Sequence, residues 1–143
     1  MLFQTVSAIV AVYFSCVTFN GPKQWSKYIA LMGGIGWLIY LLLVEPYGPY
    51  LATYGSGLMI AFTSHLFARF FKAPVTIFFI PGFFPLVPGA GMYRTAYWYI
   101  QNDSVKGQYY LLSVLGVAGM IALSIFTVDS LFKIYSHFQK KRL

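Results

Sequence analysis

Acidic side chains are nearly missing from this chain. Three Asp and Glu occur among 143 residues, and charged residues of both signs make up only 9%. Soluble domains carry about 25% charged residues, so the polar surface that would keep a fold of this size in water is not present. Together with 59% hydrophobic residues and a mean hydropathy of +0.68, this marks an integral membrane protein. The three acids, Glu45, Asp103 and Asp129, share no local motif with a histidine or cysteine. No catalytic set, metal site or cofactor is therefore expected, and the chain does not read as an enzyme. No phosphate-binding loop is present either, which excludes ATP-driven chemistry by this chain alone. The single cysteine, Cys16, rules out an internal disulfide and a clustered metal site. It lies in an apolar run and reads as a small buried residue, since Tyr13-Phe14-Ser15 is too bulky for a lipoprotein signal. The net charge of +7 comes from basic residues between and after the apolar runs. That placement sets orientation in a membrane and does not form a nucleic-acid face.

A membrane helix needs about 20 mostly apolar residues. Five regions qualify within one transmembrane domain, 1–143, at about 2–19, 28–44, 50–71, 75–100 and 108–132, followed by a basic tail at 133–143. The first lacks a basic start and a small-residue cleavage site, so it is expected to be a retained span and not a signal peptide. Glycines 33, 34 and 36 in the second allow close helix approach. Glu45-Pro46-Tyr47-Gly48-Pro49 is expected to end it, because proline and glycine disfavour a continued helix. Lys23 and Lys27, Arg69 and Lys72, and Lys140, Lys141 and Arg142 all fall on one side if there are five spans. This predicts a multi-pass protein of the cell (inner or plasma) membrane, with its N-terminus outside and its C-terminus cytoplasmic.

The fourth region is unlike the rest. Pro81, Gly82, Pro85, Pro88, Gly89 and Gly91 do not suit one regular helix, which is expected to stop near Ile80 and restart near Ala90. Backbone groups freed by such a break have no water to bond in lipid, so breaks are tolerated where they are buried in protein or line a wet cavity. A midplane break therefore points to a solute site, with a structural proline kink as the plain alternative. The restarted helix presents its positive end at Gly89, Ala90 and Gly91, which attracts anions. Arg94 follows within about a turn. A charge inside a span is costly, about 2.5–3.5 kcal/mol on insertion scales, and the planar guanidinium fits a carboxylate through two hydrogen bonds. Arg94 thus either binds the carboxylate of a small solute, or snorkels to the outer interface, or meets an acid on another subunit. Tyr93 and Tyr97 share its helix and one face, as cavity lining or as part of an interfacial aromatic belt.

Two further features stand apart from the break. His65, on the third span, is a candidate proton relay or substrate contact, or else a packed histidine bonded to a backbone carbonyl. Arg69 reads as an inner-interface anchor. Asp129 and Lys133, spaced i, i+4 near the end of the fifth span, read as a structural ion pair.

The segment from Ile80 to Arg94, with its Pro-Gly-x-x-Pro-Leu-x-Pro-Gly core, resembles the signature of the threonine/serine exporter family in its short, second-half form. The resemblance extends loosely over the whole chain. It implies secondary export of threonine and serine, or of succinate or a similar dicarboxylate, and a larger subunit of the same family as partner. It also implies that Pro81, Gly82, Pro85, Pro88, Gly89 and Arg94 belong to the functional core. A partner is expected on physical grounds too, since five spans poorly contain a gated site and an odd-numbered repeat is naturally inverted in its mate. The chain is thus expected to be an all-α integral membrane protein of about five transmembrane helices, the fourth broken at mid-membrane. It would be the small subunit of a two-component exporter of small carboxylate-bearing metabolites, in contact with membrane lipid. The rival from another class is a non-transporting accessory subunit.

Overall fold

The computed structural model describes residues 1–140, and the side chains of residues 1–137. Lys141 and Arg142 of the expected basic tail, and the side chain of Lys140, lie outside the described residues. Five α-helices occur among the described residues: α1 (Leu2–Thr18), α2 (Ser26–Phe71), α3 (Thr76–Gly82), α4 (Gly89–Ile100) and α5 (Ser104–Lys140), with a 3-10 turn at Phe84–Leu86 between α3 and α4. By length and apolarity, α2 and α5 can each cross a membrane, as can α3 and α4 taken together across their 40° bend.

The 46 residues of α2 are two antiparallel limbs. Helical geometry continues through Pro46 and resumes at Pro49, and Gly48 alone departs from it, at φ 76° and ψ 172°. Glu45–Pro46–Tyr47 therefore stays helical, where the sequence predicted that the helix would end. The reversal needs one residue, because that backbone conformation is open essentially only to glycine. Pro49 then begins the second limb, where a missing N–H is no loss. The pairing proves the direction. Leu43 lies against Gly55, Gly36 against Ile60, Met32 against Ser64 and Tyr28 against Phe67. Each limb is about 33 Å long at 1.5 Å per residue, close to the roughly 30 Å of bilayer hydrocarbon.

Other neighbours give the remaining directions. α1 runs antiparallel to the first limb, with Cys16 near Ser26 and Val12 against Gly33. α5 runs parallel to the second limb, with Tyr50 on Gly116, Tyr54 hydroxyl to Thr127 and Phe62 on Phe132. α4 runs antiparallel to α5, with Gly91 against Val114 and Tyr99 against Gly107. The chain therefore passes up and down in five legs. Trp25 packs on Phe71 and Phe78, and Arg69 lies over Phe132 and Tyr135. Lys23, Lys27, Arg69, Lys72 and Lys133 thus gather at one end of the bundle, while Glu45 and Asp103 lie at the other.

Three of the helix ends close in the same way. Asn20, Lys72 and Asn102 take left-handed backbone at φ 53°, 51° and 58°, and the amide of the next residue bonds back five positions: Gly21 to Cys16, Ala73 to Ala68 and Asp103 to Trp98. This satisfies carbonyls that a helix end leaves unpaired. Asp103 then caps α5 by accepting from the Lys106 amide at 3.0 Å. That bond, with the Lys106 ammonium at 2.9 Å, holds the Asp103 carboxyl below the usual carboxylate range. The charged form of Asp103 therefore supports this turn above the ordinary carboxylate pKa, and the support is lost as pH falls through the lowered value. α5 is continuous to Lys140 and at about 56 Å is longer than the roughly 30 Å of bilayer hydrocarbon.

The core is built on close approach. A Cβ on Gly33 would sit 2.7 Å from the Val12 Cγ2 and 3.2 Å from the Gly82 carbonyl oxygen. Ser56 donates to the Gly36 carbonyl at 2.6 Å, which ties the two limbs. Among the described residues no buried side-chain nitrogen or oxygen lacks a hydrogen-bond partner. Cys16 is fully buried and accepts from the Ser26 hydroxyl at 3.4 Å.

Gly48→Ala is expected to destabilise the hairpin by about 1–3 kcal/mol, and Gly33→Leu is expected to lower stability by a similar 1–3 kcal/mol or more through overpacking. Gly119→Leu, at a position with open space, is expected to leave the isolated chain unchanged. Thermal unfolding in detergent, followed by circular dichroism, checks all three.

Candidate functional site

The broken region folds much as its residue types require. Pro81 sits inside α3, which runs past Ile80 to Gly82. The ring removes only its own N–H, and the Phe83 amide still reaches the Phe79 carbonyl at 2.9 Å. The 3-10 turn follows, Val87 is extended at ψ 127°, and α4 restarts at Gly89 behind Pro88. Pro81, Gly82, Phe83 and Leu86 are buried, and Pro85 and Pro88 are half-buried. Gly82 lies against Met32 and Ile60, and Phe83 reaches Gly57. Gly57 and Ile60 fall near the middle of the second limb, so the break sits at mid-depth of the bundle.

Beyond the break the chain opens outward. α4 has no buried residue and packs on α5. Gly89 and Ala90 are exposed, and Gly91 faces Val114. The Gly89 amide bonds the Val87 carbonyl at 2.8 Å and the Met92 amide bonds the Pro88 carbonyl at 3.0 Å. The first-turn amides of Ala90 and Gly91 remain as the helix's orphan donors. Tyr93 and Tyr97 stack with ring centroids 6.3 Å apart, on one face as their spacing predicts. Arg94 is exposed, and its guanidinium lies 5.6 Å from the Tyr110 ring centre. Among the described residues Arg94 has no acidic partner, the ion pairs being His65–Asp129 and Asp103–Lys106.

His65 belongs to a different place. Its Nε2 lies 2.5 Å from Asp129 Oδ1, with 17% and 33% of the two side chains exposed. The imidazole stacks on Phe132 at 4.4 Å and meets the edge of Phe79 at 5.6 Å. The pair links the second limb of α2 to α5. Asp129 therefore pairs with His65 and not with Lys133, as the i, i+4 spacing had suggested, because the parallel packing of the two helices brings the imidazole closer than the lysine head. His65 and Arg94 do not share a site. Arg94 sits at Tyr110 and His65 at Asp129, about 28 Å apart along α5 at 1.5 Å per residue. The sequence held one unused signal for the pair: an acid in an apolar run of a chain that has so few.

His65→Leu and Asp129→Leu are each expected to lower stability by about 1–3 kcal/mol by orphaning a partly buried partner, with the double variant recovering much of the loss. A double-mutant cycle on thermal unfolding measures this.

A family model described as "Threonine/Serine exporter, ThrE" matches residues 4–131. A curated protein named threonine/serine exporter, from Corynebacterium glutamicum, is 31% identical over 107 residues, covering 71% of this chain and 21% of the relative. The chain thus spans about a fifth of the length of the curated relative it matches. No solved structure matches the chain.

Proposed function

Because the chain belongs to the threonine/serine exporter family, we propose that it acts as the small subunit of a two-component secondary exporter of small carboxylate-bearing metabolites, with threonine and serine as the favoured solutes. One observation carries this reading. α4 leaves a buried mid-depth break, packs on α5 and has no buried residue, and it bears an exposed Arg94 without an acidic partner among the described residues. Arg94 lies beside the Tyr110 ring, about 9 Å back along α4 from Ile100, where its guanidinium is open to an incoming anion. The site we propose is half built by this chain. The Ala90 and Gly91 amides and the Arg94 fork supply the cationic side, and the solute carboxylate supplies the anion. A larger subunit, separate or fused, closes the other wall.

In this reading the five legs are five membrane crossings. The end that carries Lys23, Lys27, Arg69, Lys72 and Lys133 faces the cytoplasm, and the N-terminus lies outside. A five-leg unit places its two ends on opposite sides, so a related partner inserted in the inverted sense would face it across the bilayer midplane. An accessory scaffold would have no use for an irregular, anion-attracting break at mid-depth.

Efflux of threonine, serine and succinate from cells that express the chain alone, and with a candidate larger half, tests the assignment. Export is expected only with both parts. Export by the chain alone would replace the two-part arrangement with a homo-oligomer, and no export despite a stable complex would favour the accessory role. Arg94→Ala is expected to abolish export while the protein stays inserted and assembled, as judged by membrane fractionation and co-purification. Unchanged export by that variant would sink the proposed carboxylate contact.

A further inference from the structure

The end of the bundle remote from Arg94 carries its own charged cavity. Asp129, one of three acids in the whole chain, shares an open cavity of ≈ 330 Å³ with His65, Arg69, Lys133 and Ser136. That volume is at the small end of ligand pockets, about 300–1,000 Å³. Neither Arg69 nor Lys133 has an acidic partner among the described residues. The Arg69 guanidinium is held 4.6 Å from the Phe132 ring centre. Asp129 is held through Oδ1 by His65, whose ring is clamped between Phe132 and Phe79. The second carboxylate oxygen is left as an acceptor. Ser136 donates to the Lys133 carbonyl at 2.8 Å, which leaves its hydroxyl oxygen free to accept.

We propose that this cavity is a binding site for a zwitterionic amino acid, with its α-carboxylate on Arg69 and Lys133 and its α-ammonium on Asp129. The proposal rests on the exporter reading and deepens it by naming a second, separate solute site at the basic end. The chemistry is selective. A zwitterion brings two opposite charges, and leaving water is affordable only where both are paired. Two cations and one acid around a small cavity provide both pairs. A dicarboxylate would turn one carboxylate towards Asp129 and be repelled. Ser136 offers an acceptor for a hydroxyl on the solute side chain. His65 is a positioning residue here, since it fixes the Asp129 carboxylate through Oδ1.

Binding by the purified chain in nanodiscs, read as ligand-induced thermal stabilisation, tests the site without transport. Threonine is expected to bind at least about tenfold more tightly than N-acetylthreonine, which lacks the ammonium, or threonine methyl ester, which lacks the carboxylate. Succinate is expected to bind as weakly as these. Asp129→Asn, which keeps the shape of the residue and an acceptor for His65, is expected to bind threonine no better than N-acetylthreonine. Arg69→Gln is expected to lose the preference for threonine over its ester. Equal binding of threonine and N-acetylthreonine by the wild type would overturn the proposal. So would folded Asp129→Asn and Arg69→Gln proteins that bind threonine as the wild type does. Stabilisation by phosphatidylglycerol that Arg69→Gln removes, with no response to threonine, would give the two cations to a lipid phosphate and also overturn it. Threonine binding of the expected pattern without efflux by any assembly would sink the exporter reading and leave the site standing. Efflux unaltered by Asp129→Asn would sink the site and leave that reading.

Discussion

Backbone amides and carbonyls that enter hydrocarbon have no water to bond, and every irregular stretch of a membrane chain must find internal cover. The segment from Pro81 to Pro88 is the irregular stretch here, and much of the bundle is arranged around it. Gly33 lets the first limb of α2 come within contact of the Gly82 carbonyl. Gly57 makes room for Ser124 of α5 beside Phe83, and Ile60 and Met32 close over Gly82. The same need for internal partners explains the buried serines. Ser56 ties the limbs through the Gly36 carbonyl, and Ser124 bonds within its own helix to Ile121. Without a hydrophobic drive between helices in lipid, such close contacts and hydrogen bonds are what hold the legs together.

Cover on one side of the break leaves the other side open. α3 packs against both limbs of α2 and against α1, while α4 rests on α5 and turns Tyr93, Arg94 and Tyr97 outward. Arg94 lies beside the Tyr110 ring and has no acidic partner among the described residues. The basic end shows the opposite economy. There an acid, an imidazole and two cations already lie around one cavity. The two clusters are about 28 Å apart along α5, so they lie towards opposite ends of the bundle.

Much of this was legible in the residues, for identifiable reasons. Hydrocarbon thickness sets the length of a crossing, and helical legs lie between Asn20-Gly21, the Gly48-Pro49 reversal and Asn102. Three prolines and three glycines in one apolar region can only be a break. Local spacing also places Tyr93 and Tyr97 on one face. Spacing failed where the contact was not local. Asp129 had a lysine one turn away on its own helix, and only the parallel packing of α5 against the second limb of α2 put His65 closer. The segment expected to end the second span, Glu45 to Pro49, does hold the reversal, but the helix runs on through Pro46 because one glycine at positive φ turns the chain without a loop.

The amino-acid sequence by itself determined the solvent, the class and the place of the break. These follow from composition and from the local conformational limits of proline and glycine, which no packing can lift. The tertiary structure alone decided which charges meet. The direction and register of neighbouring helices bring His65 to Asp129, gather Arg69 and Lys133 at the same cavity, and leave Arg94 facing outward. Such pairings depend on how the legs lie side by side, and a pattern read along one leg holds no information about its neighbour.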